Sequence, residues 1–327
     1  MKRLKKILVV FFLLLVVVVG GGAIYLKAFL PNVGAAPDLK VEITPERVER
    51  GKYLANHVCV CMDCHGTRDW TKFSGPPVEG SLGKGGELFD QKFGFPGAYY
   101  SRNITPFNLG KWSDGEIFRA ITCGVNKDGK ALFPVMPYNY YGQMDPDDIY
   151  CIIAYLRSLP SISNTPPESK SDFPMNFIIN TIPSKGNPGK RPDPSDKIAY
   201  GKYIAMSAGC IECHTQVDDK GQKLAGKEFG GGREFPFPDG SKVRSANITP
   251  DKETGIGATS QETFVNLFHA RSDSTTRHTT LAPGTFNTIM PWTMYGSMKD
   301  EDLAAIYAYL QTLPPMKNEV EKYTPAK

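Results

Sequence analysis

The chain has 327 residues, more than one compact domain needs, and its 41% apolar and 22% charged content excludes a disordered polymer. Its formal charge is +4, but Lys2, Arg3, Lys5, Lys6 and Lys27 place +5 in residues 1–27, so the rest of the chain sums to −1. A body so near neutrality lacks the basic stripe of a nucleic-acid binder, and nucleic acid is excluded as a partner.

From Ile7 to Leu26 the chain is uncharged and mostly apolar. As a helix those residues extend about 30 Å, the thickness of a hydrocarbon core. Basic residues before the stretch should stay cytoplasmic, which predicts a single-pass anchor with everything after Lys27 across the membrane. A cleaved signal peptide would have a shorter apolar core. Residues 1–27 are therefore read as cytoplasmic tip and transmembrane anchor, and 28–45 as a linker.

Seven cysteines follow, at 59, 61, 64, 123, 151, 210 and 213, an odd number that argues against a pure disulfide framework. Four of them lie in Cys61-Met62-Asp63-Cys64-His65 and Cys210-Ile211-Glu212-Cys213-His214. Each is C-x-x-C-H, the attachment signature of c-type haem. Two thiols a helical turn apart can form thioethers with two porphyrin vinyl groups, and the adjacent imidazole then reaches the iron. Zinc would want four ligands close together, and a dithiol oxidoreductase would need a βαβ setting. The sequence thus predicts two covalently bound haem c groups, with Cys61, Cys64, Cys210 and Cys213 holding the porphyrins and His65 and His214 as iron ligands.

The two halves repeat one another. Gly51-Lys52-Tyr53 matches Gly201-Lys202-Tyr203, Asn103-Ile104-Thr105-Pro106 matches Asn247-Ile248-Thr249-Pro250, Met136-Pro137 matches Met290-Pro291, and Tyr141-Gly142 matches Tyr295-Gly296. Each half shows three helices and no convincing strand alternation. The first helix, started in the N-terminal half by Thr44-Pro45, should run into the haem motif. The second should open on the capping boxes Ser113…Glu116 and Thr259…Glu262. The third carries Ile149, Ile152, Ile153 and Leu156, or Leu303, Ile306, Tyr307 and Leu310, at helical spacing, with Asp145-Pro146 capping its first copy. The fold class is all-α: a transmembrane helix, then tandem haem domains at 46–160 and 196–315, a Pro-rich linker at 161–195 and a tail at 316–327.

Met136 lies 71 residues after His65 and Met290 lies 76 after His214, each before Pro in a loop. A thioether sixth ligand raises the reduction potential and suits electron transfer. Met136 and Met290 are the expected ligands, Met144 and Met298 their rivals. Cys59, Cys123 and Cys151 read as buried thiols, or as one disulfide plus a free thiol; Cys123 as an iron thiolate is the sharper alternative, and His269 or His278 could give bis-His ligation. The apolar interlude Phe173–Ile182 should pack between the haem domains or lie on the bilayer.

On Asn247 through Gly257, Met136-Pro137-Tyr138, and Asp147-Asp148 through Tyr155-Leu156, the chain resembles two-domain, membrane-anchored class I cytochromes c. More narrowly it resembles the cytochrome c subunits of bacterial membrane-bound alcohol and gluconate-type dehydrogenases. Those subunits usually carry three haem motifs, and this chain has two. The resemblance covers 46–160 and 196–315 and implies Met136 and Met290 as axial ligands, with the Asn-Ile-Thr-Pro loops at the haem edge. It also implies electrons taken from a dehydrogenase and passed to a quinone or terminal oxidase.

The expected function is a relay of single electrons on the periplasmic side of a bacterial inner membrane. The donor would be a dehydrogenase or quinol-oxidising complex, the acceptor an oxidase or soluble cytochrome. No catalytic set is found: no Ser-His-Asp arrangement, phosphate loop or nicotinamide fingerprint. The alternative is a dihaem enzyme such as a thiosulfate dehydrogenase or peroxidase.

Overall fold

The computed structural model describes residues 2–218, 221–273, 275, 278–282 and 284–326. It is mostly helical. Lys2–Ala28 forms one helix of 27 residues whose best window has a mean hydropathy of 3.1, with no side chain buried against the rest of the chain. By length and composition it can cross a membrane.

In the N-terminal half, Thr44 caps the Pro45–Tyr53 helix by accepting from the Arg47 amide, with Pro45 at the first turn. The helix then widens into a π-helical turn over Leu54–Val58, and Val60 takes a left-handed φ of 44° before the separate helix Cys61–Cys64. In the C-terminal half, Lys197–Ser207 is followed by Gly209 at φ 68° and the helix Cys210–Cys213. A continuous helix into each motif is thus corrected. The left-handed residue re-aims the chain, so each Cys pair sits on a one-turn helix of its own.

These first helices cross the last ones backbone to backbone. A Cβ on Gly51 would lie 1.8 Å from the Cys151 carbonyl oxygen of Pro146–Ser158, and one on Gly201 would lie 1.8 Å from that of Ala305 in Asp300–Leu310. That contact gives the repeated Gly-Lys-Tyr its physical reason: only glycine admits the approach. The predicted apolar faces are in the core, with Ile149, Ile152, Ile153, Leu156, Leu303, Ile306 and Leu310 all buried. Asp145 caps Pro146–Ser158, and Ser113 forms the full capping box with Glu116 on Asp114–Cys123. In the second half the cap falls one residue later than expected: Ser260, not Thr259, accepts from the Thr263 amide at the start of Gln261–Ala270.

No strand alternation is present in the sequence, yet each half holds a small antiparallel sheet. Leu88–Phe89, Gly97–Tyr100 and Lys170–Ser171 form one; Glu234–Pro236, Lys242–Arg244 and Tyr323–Thr324 form the other. Strands this short leave no room for alternation to register. The third strand of each comes from chain beyond the last helix of its half, past positions 160 and 315.

One contiguous apolar core runs through both halves. Across it the repeats exchange hydrogen bonds: the Tyr53 hydroxyl donates to Asp302 at 2.5 Å, and the Tyr203 hydroxyl donates to Asp148 at 2.7 Å. Tyr200 adds a second donor to Asp302, while Arg50 and Arg191 add three guanidinium contacts to Asp148. The interlude near Phe173 sits elsewhere than between the halves. Met175–Ile178 and the turn Ile179–Thr181 meet the end of the apolar helix, where the Asn180 amide donates to Leu26 O at 3.0 Å and the Lys27 ammonium lies 4.7 Å from the Phe177 ring centre.

Candidate haem-binding sites

His65 and His214 end the two one-turn helices, each with its amide bonded back to the first Cys of its motif, at 2.9 and 3.0 Å. The rings are held the same way. Nδ1 of His65 lies 2.6 Å from Arg102 O, and Nδ1 of His214 lies 2.7 Å from Ala246 O. A carbonyl only accepts, so Nδ1 carries the proton and donates, which leaves the Nε2 lone pair available to a metal. Burial lowers the affinity of both imidazoles for a further proton and pushes the Cys61, Cys64 and Cys210 thiols up to about 12.

The carbonyl acceptors explain the Asn-Ile-Thr-Pro repeats. Arg102 and Ala246 immediately precede Asn103 and Asn247, both buried. The Asn103 carboxamide accepts from the Thr105 amide and hydroxyl at 2.9 and 2.7 Å and donates to Ile162 O and Asn164 O. Asn247 accepts from Thr249 at 3.0 and 2.8 Å and donates to Met316 O and Thr254. Each loop is therefore pinned to the chain leaving the last helix. Gly85 and Gly231, both at φ 71°, press from the other side, and a Cβ on either would fall within 2.5 Å of that carbonyl group. Their amides donate to His65 O and His214 O at 2.8 Å each. Ring, carbonyl and glycine form a matched clamp in both halves.

Met136 and Met290 lie in loops, half-buried, against the common core that also receives Cys61 and Cys210. Each methionine carbonyl takes the amide two residues on, Tyr138 at 2.8 Å and Trp292 at 2.7 Å. The helix after each ends in the repeated Tyr-Gly. The Tyr141 hydroxyl donates to Cys59 O at 2.9 Å and the Tyr295 hydroxyl to Ala208 O at 2.5 Å. Both acceptors stand two residues before the first motif cysteine, so the methionine loop and the Cys-x-x-Cys-His turn are tied together at equivalent points. Met144 and Met298 differ in being fully buried, with Met144 Sδ 3.9 Å from the Cys59 thiol, as core filling demands.

The donor set fits haem. Among the described residues no three His, Cys, Asp or Glu side chains converge on one point, so these residues form no zinc-type cage. Each imidazole instead offers a single free nitrogen beside two unpaired thiols. The buried Tyr138 hydroxyl, two residues after Met136, has no protein partner among the described residues, a polar atom that suits a group bringing its own acceptors.

The remaining candidates are accounted for otherwise. Cys59, Cys123 and Cys151 are buried free thiols, so the disulfide alternative does not arise, and Cys123 packs with Val33 and Val125 in a small cluster apart from the main core. Both nitrogens of His269 are engaged, with Gly296 O at 2.7 Å and Asp300 at 2.8 Å. His57 meets Met294 O at 3.1 Å between the halves, and His278 is exposed. The clamp carbonyls escaped the sequence reading because backbone atoms carry no letter; the recurrence of Asn-Ile-Thr-Pro in both repeats was their only trace.

Residues 198–314 match the family model of cytochrome c, so the C-terminal half carries a cytochrome c domain, which binds haem c covalently. The chain is similar to the cytochrome c subunit of the quinone alcohol dehydrogenase of Gluconacetobacter polyoxogenes, 26% identical over 85% of this chain and 58% of the relative. It is equally similar, at 26%, to the gluconate 2-dehydrogenase cytochrome c subunit of Pantoea cypripedii, over 81% of this chain and 59% of that one. A dihaem cytochrome c-type protein of Cereibacter sphaeroides is 27% identical over 79% of this chain and 83% of its own length. The chain thus spans between 55% and 59% of the alcohol, gluconate and fructose dehydrogenase cytochrome subunits it matches.

Proposed function

We propose that this chain is a dihaem c-type cytochrome, anchored by Lys2–Ala28, that relays single electrons for a membrane dehydrogenase. Residues 46–160 and 196–315 would form its two haem domains. Cys61, Cys64, His65 and Met136 would hold one haem, and Cys210, Cys213, His214 and Met290 the other. The observation that carries the reading is the doubled clamp, in which each motif histidine donates Nδ1–H to the carbonyl before Asn-Ile-Thr-Pro.

Bound haem c supplies a one-electron iron couple whose potential follows its ligands and burial. The chain's own work is to fix geometry. The Nδ1 bonds hold each imidazole in one tautomer and aim Nε2, and a donor bond of this kind strengthens the ligand's basicity. The methionine loops supply a soft thioether, which favours the reduced iron. The Tyr141 and Tyr295 bonds keep loop and motif in register, so little rearrangement accompanies a change of charge. The shared core and the Tyr–Asp exchanges hold the two halves rigidly face to face, which suits transfer from one site to the other.

The apolar helix supports attachment to a bacterial inner membrane, and the Lys-rich tip supports the periplasmic side for the rest. The named relatives support a dehydrogenase as electron donor; a quinone pool, oxidase or soluble cytochrome would be the acceptor. Two measurements test this. Pyridine haemochrome analysis of purified protein is expected to give two haems per chain, falling to one in Cys210→Ala/Cys213→Ala or in Cys61→Ala/Cys64→Ala. Affinity capture from membranes is expected to bring down a dehydrogenase subunit; capture with no redox enzyme would refute the partner.

A further inference from the structure

The methionine loop of the C-terminal half is held by the other half. Residue Ser74, at the far end of the loop that follows His65, is fully buried at 0% exposure and takes a φ of 66°, a left-handed conformation unusual for a residue with a side chain. Its hydroxyl donates to Met290 O at 2.6 Å and accepts from the Trp292 amide at 2.9 Å. Its amide donates to the Asn287 carboxamide at 2.8 Å, whose nitrogen returns to Lys72 O and Trp70 O. The Met290 loop is thus stitched along Asn287–Trp292 to the first half. Among the described residues, the carbonyl of Met136 is bonded only within its own loop, by the Tyr138 amide.

The stitch leads back to the first haem motif. Arg68 donates to Ser74 O and Gly75 O at 2.9 Å each, stacks 4.0 Å from the Trp70 ring centre, and pairs with the buried Asp63 carboxylate at 3.0 Å. Asp63 lies inside Cys61–His65. A continuous run of contacts therefore joins the first motif to the backbone of Met290: Asp63, Arg68, Ser74, Met290.

Resting on the ligand assignment above, we infer that Ser74 is a positioning residue for Met290, so that ligation in the C-terminal site depends on docking of the N-terminal half, while the Met136 loop, which meets the other half through the Tyr140–Lys223 side-chain pair, has no such stitch to its methionine backbone among the described residues. The strained backbone at Ser74 is what brings its hydroxyl between the Met290 carbonyl and the Trp292 amide, so alanine at 74 removes both bonds while the backbone contacts to Asn287 and Arg68 do not depend on its side chain.

The test uses the full-length, haem-loaded protein in detergent. Imidazole is titrated into the oxidised form, and displacement of each methionine is read from the near-infrared methionine-to-iron charge-transfer band and from the shifted methionine methyl resonances. Met136→Ala and Met290→Ala assign the two signals. Ser74→Ala is expected to raise imidazole affinity at the Met290 site roughly tenfold to thirtyfold, the worth of two ordinary hydrogen bonds. The Met136 site of the same molecules is expected to be unchanged, which also reports that the variant is folded. Asn287→Ala should shift the same site in the same direction by less. Two unchanged sites in Ser74→Ala, or two sites changed alike, would overturn the positioning role. A parent protein without a Met290 signal would overturn the ligand assignment itself, a different and separable failure.

Discussion

The two halves meet through a pair of equivalent aspartates whose surroundings differ, and that difference sets the size of two substitutions. Asp148 has a fully buried side chain and accepts from Arg50 at 3.1 and 3.2 Å, from Arg191 at 2.5 Å and from the Tyr203 hydroxyl at 2.7 Å. Asp302 is as deeply placed but accepts from two hydroxyls, Tyr53 at 2.5 Å and Tyr200 at 2.9 Å, and among the described residues it makes no ion pair. Replacing Asp148 by Asn removes the counter-charge of two guanidinium groups and turns an amide nitrogen towards donors. A charge-assisted bond is worth about 1.5–3 kcal/mol. Arg50 and Arg191 side chains are 24% and 40% exposed, so solvent screens both and the full sum does not apply. About 3 kcal/mol is the expected cost. Asp302→Asn keeps an oxygen for one tyrosine and costs about 1 kcal/mol, one neutral bond. Urea unfolding followed by far-ultraviolet circular dichroism, on parent and both variants at neutral pH, compares the midpoints at a common slope. If Asp302→Asn matched or exceeded Asp148→Asn, the argument that the guanidinium pairs set the larger cost at Asp148 would be refuted.

Further outcomes follow from the packing. Gly51→Ala and Gly201→Ala each drive a Cβ to 1.8 Å from a backbone oxygen, so each should cost at least about 3 kcal/mol and part its helix pair, seen as a lowered unfolding midpoint. Cys59, Cys123 and Cys151 are buried, and burial also pushes the Cys59 and Cys151 thiols up. Iodoacetamide at neutral pH should therefore leave the native holoprotein unmodified and add three groups after unfolding, counted by mass spectrometry; a native protein that labels readily would contradict this burial. Glu234 is held below its ordinary value by hydrogen bonds from Lys242 and then Arg244. A depressed carboxylate stabilises above its unfolded value and loses that contribution as pH falls through the folded one. The Tyr323–Thr324 strand, which pairs with the Lys242–Arg244 strand that Glu234 holds, should accordingly become more open to protease in acid, and Glu234→Gln should abolish that pH dependence.

Much of the helical frame was legible because it rests on side-chain periodicity and caps. Ile149, Ile152, Ile153 and Leu156 announce a buried stripe, and Ser113 with Glu116 announces a helix start. The two Cys-x-x-Cys-His segments were visible as a spacing pattern, and each falls on a one-turn helix with its histidine ring held by a carbonyl. What the sequence hid is what backbone atoms do. The π-helical turn at Leu54–Val58 and the left-handed Val60 leave no pattern, because nothing about leucine or valine requires them. The second capping serine at 260 was displaced by one position because Thr259 and Ser260 are both competent caps and tertiary context decides. Strands of two to four residues are too short to show a period. The contacts between halves were invisible for another reason: Tyr53 and Tyr203 look like ordinary helix residues until their partners at 302 and 148 are brought across.

The most direct test of the account is the near-infrared methionine-to-iron charge-transfer band of the oxidised protein, quantified per chain against the covalent haem content. Two haems, each with methionine ligation that disappears singly in Met136→Ala and Met290→Ala, is the predicted result. One haem per chain, or two haems with only one methionine-ligated, would contradict it.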